Sequence, residues 1–459
     1  MFSVGQLRDL CFLSASELGD GYRRGRFSPV DVVESHLSRI DSLDVGLHAY
    51  TEVFHQEARA AAATSARRYS AGQALSPLDG VPVAVKDLFE IEGKACAAGS
   101  ATRRGHIAGR TAPTVMRLVR NGAVVLGKTH TVEFALGGWG TNAHLGNPRN
   151  PWVPDTPYTA GGSSSGSAVA VAARLATLAI GTDTGGSVRV PAAFNGIVGL
   201  KTTPGRISLE GVVPLSPSLD TIGPIARTVS DAGLLFRMLL DEPASSADPL
   251  VGLDDGVRGL SLGAVGAEEL ELVDADIAHA YEASLRRFEE LGARIVAVNL
   301  PRRLHDYQRD SEILMAEAYA LYGELAEDPS APMDPNVRAR VLTGAISARS
   351  YILARDRAAT DARAMLTALE GCHALLTPTA RTLPIPLADV DETTTPSTLA
   401  RFVNQLGFCG LAVPNGLSST GLPTSLQIVC RPNEEHLALR IGRACEAGDP
   451  LQGATPAMA

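Results

Sequence analysis

Paired cysteines, metal-binding histidine patterns, basic stripes and long apolar runs are all scarce in this sequence, and each scarcity removes a class of function. Six cysteines (Cys11, Cys96, Cys372, Cys409, Cys430 and Cys445) are scattered along 459 residues with no C-x-x-C pair. Together with the lack of a signal-peptide pattern at Met1, this makes a reduced, cytoplasmic setting the expectation. None of the ten histidines falls in an H-E-x-x-H arrangement, so neither a metal nor a cofactor is expected. The formal charge of −9 comes with interspersed signs and no basic stripe, which argues against nucleic acid as a partner. Apolar runs such as "AVAVAARLATLAIG" are shorter than the roughly 20 residues of a membrane-spanning helix, and Arg174 interrupts this one; no membrane partner is expected.

What is present is ordinary globular composition, 45% hydrophobic and 20% charged. Length alone suggests two or three domains, because single cores stop growing at roughly 250 to 300 residues. Ser14 and Glu17 have capping-box spacing, and in "SPVDVVESHLSRI" Ser28 caps a helix that Pro29 opens and whose apolar face holds Val33, Leu37 and Ile40. Residues 1–75 therefore read as a helical N-terminal part. "GVPVAVK" reads as an internal strand, apolar on both faces except at Lys86. "PTVMRLVRNG" then "AVVLGKT", "SAVAVAARL" then "ATLAIGT", and "IAHAYEASLRRFEELG" then "ARIVAVNL" each step from helix to strand, the pattern of a mixed sheet with helices on both faces. Residues 240–258, rich in Pro, Gly, Ser and Asp, mark a surface excursion.

"GGSSSGS" at 161–167 and "GTDTGGSVR" at 181–189 bracket one compact helix–strand unit. Flexible linkers separate folded pieces and do not flank a single apolar unit. A phosphate loop would need a lysine directly after its last glycine, and a dinucleotide fingerprint would need G-x-G-x-x-G; neither turn has either. What remains is a pair of turns presenting hydroxyls. A serine nucleophile needs a base, and no histidine lies near in sequence. Lys86 is a candidate, since desolvation on an internal strand favours its neutral amine. The alternative is a lysine paired with a buried carboxylate such as Asp87 or Asp183.

These segments, with "PLSPSLDTIGPIARTVSD" and "GLPTSLQIV" downstream, resemble the amidase signature family in order and spacing, from about residue 25 to the C-terminus and most weakly between 240 and 375. The resemblance implies an α/β fold: one compact α/β/α sandwich over residues 1–459 around a large mixed sheet, with 240–375 as a variable, substrate-shaping part. It implies a Ser–Ser–Lys triad of Lys86 as base, Ser163 as the bridging serine across a non-proline cis peptide bond, and Ser187 as nucleophile, 24 positions after Ser163. The N–H groups of Thr184, Gly185, Gly186 and Ser187 would form the oxyanion hole. The implied function is hydrolysis of a carboxamide through an acyl-enzyme, with carbamates or ureas as variants. The alternative function is the amidase-like component of a tRNA-dependent amidotransferase, working with a tRNA-binding partner.

Ser165 stands where the family commonly has glycine and would tighten the turn by a side-chain hydrogen bond. Asp183 and Arg189 read as a structural pair more readily than as substrate contacts, and Asp220 as scaffold. For substrate binding, the resemblance puts "LGGWGTNAH" beside the catalytic turns, with Gly138 and an exposed Trp139 lining a cleft that Gly162 also borders; a plain surface loop is the competing reading. Met315, Tyr319 and Tyr322 share one helical face, a stripe that serves either core or pocket. The expected partner is a small amide substrate, and a homodimer is the assembly considered.

Overall fold

The computed structural model describes residues 10–241, 248–448, 450–451 and 453–459. Part of the 240–258 excursion and the first nine residues of the N-terminal part lie outside them. Eleven strands form one sheet: β1 Tyr50–Val53, β2 Pro82–Lys86, β3 Val124–Thr129, β4 Leu178–Asp183, β5 Val198–Lys201, β6 Thr221–Ala226, β7 Ser261–Ala264, β8 Arg294–Ala297, β9 Ala374–Pro378, β10 Cys409–Leu417 and β11 Pro423–Cys430. Their order is β1-β3-β2-β4-β6-β5-β10-β11-β9-β7-β8. β3, β2 and β4 run parallel, as do β9, β7 and β8; the pairings between these two groups are antiparallel. The sheet is mixed, as the helix-to-strand steps require.

Alternation along the strands sorts the two faces. Ala84, Ala179, Ile225 and Ala412 pack under the helices Pro29–Leu47, His55–Ser70, Ser165–Ala172 and Arg189–Asn195. Val83, Val85, Leu178, Ile180, Leu411 and Val413 belong to the core on the other face, with Val229–Leu239, Ala275–Glu290 and Glu435–Glu446. The helices begin where capping predicts: Ser14 pairs with Glu17, and Ser28 with Asp31, in reciprocal capping boxes. The helical reading of residues 1–75 misses β1, a four-residue strand that pairs antiparallel with β3. All six cysteines are buried and unpaired.

β2 and β4 lie side by side with Val85 opposite Ile180. That register brings the C-terminal ends of both strands, Lys86 and Thr182–Asp183, to one edge of the sheet. The two hydroxyl-rich turns meet there, and the Ser164 N–H donates to the Ser187 carbonyl at 3.1 Å.

Candidate active site

Lys86 closes β2 with no measurable exposure. Its Nζ lies 2.8 Å from Ser163 Oγ and 2.8 Å from Thr182 Oγ1. The carboxylates that could have paired with it are otherwise engaged. Asp87 meets Lys128 Nζ at 2.7 Å, and Asp183 meets Arg189 at 2.9 Å. Burial drives the Lys86 ammonium pKa down to about 7, although the charges of Asp220 and Asp183 pull it upward. An amine with that affinity, touching a hydroxyl and no carboxylate, is half-available as a proton acceptor at neutral pH.

Ser163 follows a cis peptide bond from Gly162. The backbone here is too crowded for side chains: a Cβ on Gly162 would stand 2.8 Å from the Gly140 nitrogen and 3.0 Å from the Gly137 carbonyl oxygen. Ser165, expected to tighten the turn, does not; its buried hydroxyl has no partner among the described residues.

The Ser187 turn is held from behind by Asp183 and Arg189, both fully enclosed. The Asp183 carboxylate accepts from Gly186 N at 2.8 Å, Val188 N at 3.1 Å and Asn404 Nδ2 at 2.9 Å. Burial alone would raise its pKa; the Arg189 and Lys201 charges and the Asn404 bond reverse that and hold it well below the usual carboxylate range. Arg189 spends its remaining donors on Ala400 O at 2.8 Å, Gln427 Oε1 at 2.5 Å and Asn404 Oδ1 at 2.7 Å. Thr184 Oγ1 donates to Asp220 Oδ1 at 2.6 Å, and burial lifts the Asp220 carboxyl to about 6. Among the described residues, no protein acceptor takes the N–H groups of Thr184, Gly185 or Ser187. The Gly186 N–H departs from the four-donor expectation, because the carboxylate three residues earlier reaches across the turn and captures it.

The family profile "Amidase" matches residues 31–439. The chain belongs to the amidase signature family. It is an amidase, a hydrolase of amide C–N bonds. It is similar to the 2-amino-5-chloromuconic acid deaminase of Comamonas testosteroni, 36% identical with 96% of this chain and 98% of that protein covered. It is likewise similar to a glutamyl-tRNA(Gln) amidotransferase component of Geobacter metallireducens, 34% identical over 95% and 97% of the two chains. Among solved structures, the native peptide amidase from Stenotrophomonas maltophilia superposes with a TM-score of 0.84 at 29% identity, covering 96% of this chain and 98% of its own.

In this amidase a cleft of about 180 Å³ opens in front of Ser187, lined by Gly138, Gly162, Gly185, Met315 and Arg401, among others. Among the described residues, no histidine lines it. Trp139 does not face it. The ring is 5% exposed, packs against Val190, Phe194 and Ala400, and donates Nε1–H to the Thr394 carbonyl at 3.2 Å. Flanking glycines made it read as exposed, yet they let the chain fold inward and place the indole under the cleft wall. Tyr319 also lies off the cleft. One turn along the helix Glu312–Glu327 from Met315, it packs over Gly323 and hydrogen-bonds Glu327. Tyr322, on the same stripe, stacks on Phe134 with ring centroids 4.1 Å apart.

Sequence reasoning passed over Thr182, Asn404, Gln427 and Arg401. Thr182 had a signal, since it sits in the same "GTDTGGS" as Ser187. The other three arrive from more than 200 residues downstream and carry no local mark.

Proposed function

We propose that this amidase works through Ser187, Ser163 and Lys86. The neutral amine of Lys86 takes a proton from Ser163, which takes one from Ser187, and the freed Oγ attacks the amide carbonyl. The N–H groups of Thr184, Gly185 and Ser187 receive the oxyanion. As the C–N bond breaks, the stored proton passes from Lys86 through the Ser163 hydroxyl to the leaving nitrogen, which departs as amine or ammonia. Water then enters by the same relay, cleaves the acyl–Ser187 ester and yields the carboxylic acid.

The observation that carries this reading is Lys86: enclosed, 2.8 Å from Ser163 and without a carboxylate partner. The cleft volume suits a small acyl group, and the deaminase named among the relatives releases nitrogen from an acid. The unpaired buried thiols fit a cytoplasmic setting. A panel of small carboxamides, carbamates and ureas, assayed beside Ser187→Ala and with fluorophosphonate labelling of Ser187, tests it. Turnover by wild type and labelling at Ser187 are expected; equal turnover by both proteins overturns it.

Several similar relatives are named as components of glutamyl-tRNA(Gln) amidotransferases, which keeps a second reading in view. In that role the chain would depend on a companion protein that holds the tRNA. Hydrolysis of simple amides by the isolated chain at undiminished rate favours the first reading; activity appearing only with a co-purifying companion favours the second.

A further inference from the structure

Of the charged groups that line the cleft among the described residues, Arg340, Glu392 and Arg401, the last has no partner. Arg401 begins the short helix Arg401–Gln405 and is 8% exposed. Its Nε and Nη1 are enclosed without a hydrogen-bond acceptor, and among the described residues no carboxylate pairs with it. The other arginine of the cleft is already neutralised. Arg340 meets Glu392 at 2.7 Å and the Leu136 carbonyl at 2.9 Å.

Arg401 is also held where it is. The carbonyl just before it, Ala400 O, accepts from the buried Arg189 at 2.8 Å, and Asn404 is bonded to both Asp183 and Arg189. The backbone that carries Arg401 is therefore tied to the same residues that support the Ser187 turn. The guanidinium lies against that turn: a Cβ on Gly185 would be 3.5 Å from Nε and 3.8 Å from Cζ. A glycine there leaves the space between guanidinium and nucleophile open.

A buried cation with idle donors is costly unless an anion completes it. Burial, with the Arg340 charge adding, lowers its pKa to about 10, so it stays protonated at neutral pH. Its planar fork matches a carboxylate through two parallel hydrogen bonds.

We propose that the substrate of this amidase carries a free carboxylate, which Arg401 binds while Ser187 attacks the amide. The inference rests on the Ser187 reading above. Arg401 and Ser187 line the same cleft of about 180 Å³, so a short spacer joins the carboxylate to the scissile carbonyl. The carboxylate can belong to the acyl part, as in the monoamide of a short dicarboxylic acid, or to the leaving amine, as in an N-acyl amino acid.

The test compares kcat/KM for the monoamides of malonic, succinic and glutaric acids and for N-acetylglycine with that for the uncharged methyl ester of each, in wild type, Arg401→Met and Arg401→Lys. Wild type is expected to prefer one anionic series by about 100-fold or more, in line with the cost of truncating one partner of a buried charge pair. Which series wins identifies the side that bears the carboxylate. Arg401→Met loses that preference and Arg401→Lys recovers part of it, while the unfolding temperature of Arg401→Met stays at or above the wild-type value. A wild type that cleaves the neutral and anionic amides equally, or a preference that survives in Arg401→Met, overturns the assignment. Binding of succinate and glutarate to wild type and Arg401→Met, read by calorimetry, is independent of turnover. Weaker binding in the variant supports the site even if Ser187 proves not to be the nucleophile, and equal binding overturns it.

Discussion

Behind Ser187, Arg189 donates to Asp183, Asn404, Gln427 and the Ala400 carbonyl, so its charge is met and its donors are spent. In front of Ser187, Arg401 is nearly as enclosed and donates to nothing among the described residues. The same contrast separates two lysines on adjacent strands. Lys128 is bonded to Asp87 and to the carbonyls of Phe89 and Ala95, whereas Lys86 touches only hydroxyls. A buried cation with a full set of acceptors supports the framework. One left short is available for chemistry or for a ligand, and burial alone does not distinguish the two.

The largest expected effect comes from Lys86→Met, which removes the proposed base: hydrolysis is expected to fall by about 10⁴-fold or more, as for loss of a triad member, measured as kcat/KM. The same variant tests the comparison through stability. Lys86 has a folded pKa of about 7 against 10.5 when exposed, so between these values the unfolded chain holds a proton that the folded one lacks, and wild-type stability rises with pH. Lys86→Met is therefore expected to melt above wild type, by most at or below pH 7, with the gap closing toward pH 10.5 in thermal unfolding. A variant that melts below wild type at pH 7 would show that the lysine is paired after all.

Arg189→Met should act in the opposite sense, destabilising by about 3 to 5 kcal/mol because it strands the Asp183 carboxylate; denaturant unfolding measures this. Next in size is the acid limb of the rate. In the proposed mechanism Lys86 acts as the neutral amine, so kcat/KM is expected to fall about tenfold per pH unit below about 7 and to level off above. A limb that tracks neither Lys86 nor the neighbouring Asp220, at about 6, would point to another base. The smallest effect is Trp139→Phe, which loses the bond to Thr394 and costs about 1 kcal/mol in unfolding free energy.

Where the chemistry is local, the sequence was readable. The alternation of helix and strand, the two hydroxyl-rich turns and a lysine on an internal strand are short-range patterns; they marked Lys86 and the two turns, and the family resemblance singled out Ser163 and Ser187 within them. β1 escaped because "YTEV" is four residues long between two helices. The direction of one N–H at Gly186 depends on a carboxylate folding back over the turn, which residue identity does not encode. Trp139 and Tyr319 were placed by neighbours in sequence, whereas their surroundings are set by Phe194, Thr394 and Glu327. Arg401 is the extreme case: in "TLARFVNQLG" it reads as an ordinary charged residue at the start of a helix, and only the absence of an acceptor in three dimensions marks it.

The six enclosed thiols give the protein a built-in gauge of opening. A thiol reagent reacts with them only as fast as the fold exposes them, so the rate of modification follows unfolding without any optical label. Because the cysteines lie both near the N-terminus and across the far strands, mapping which sulfur reacts first would show which part of the sandwich yields before the rest.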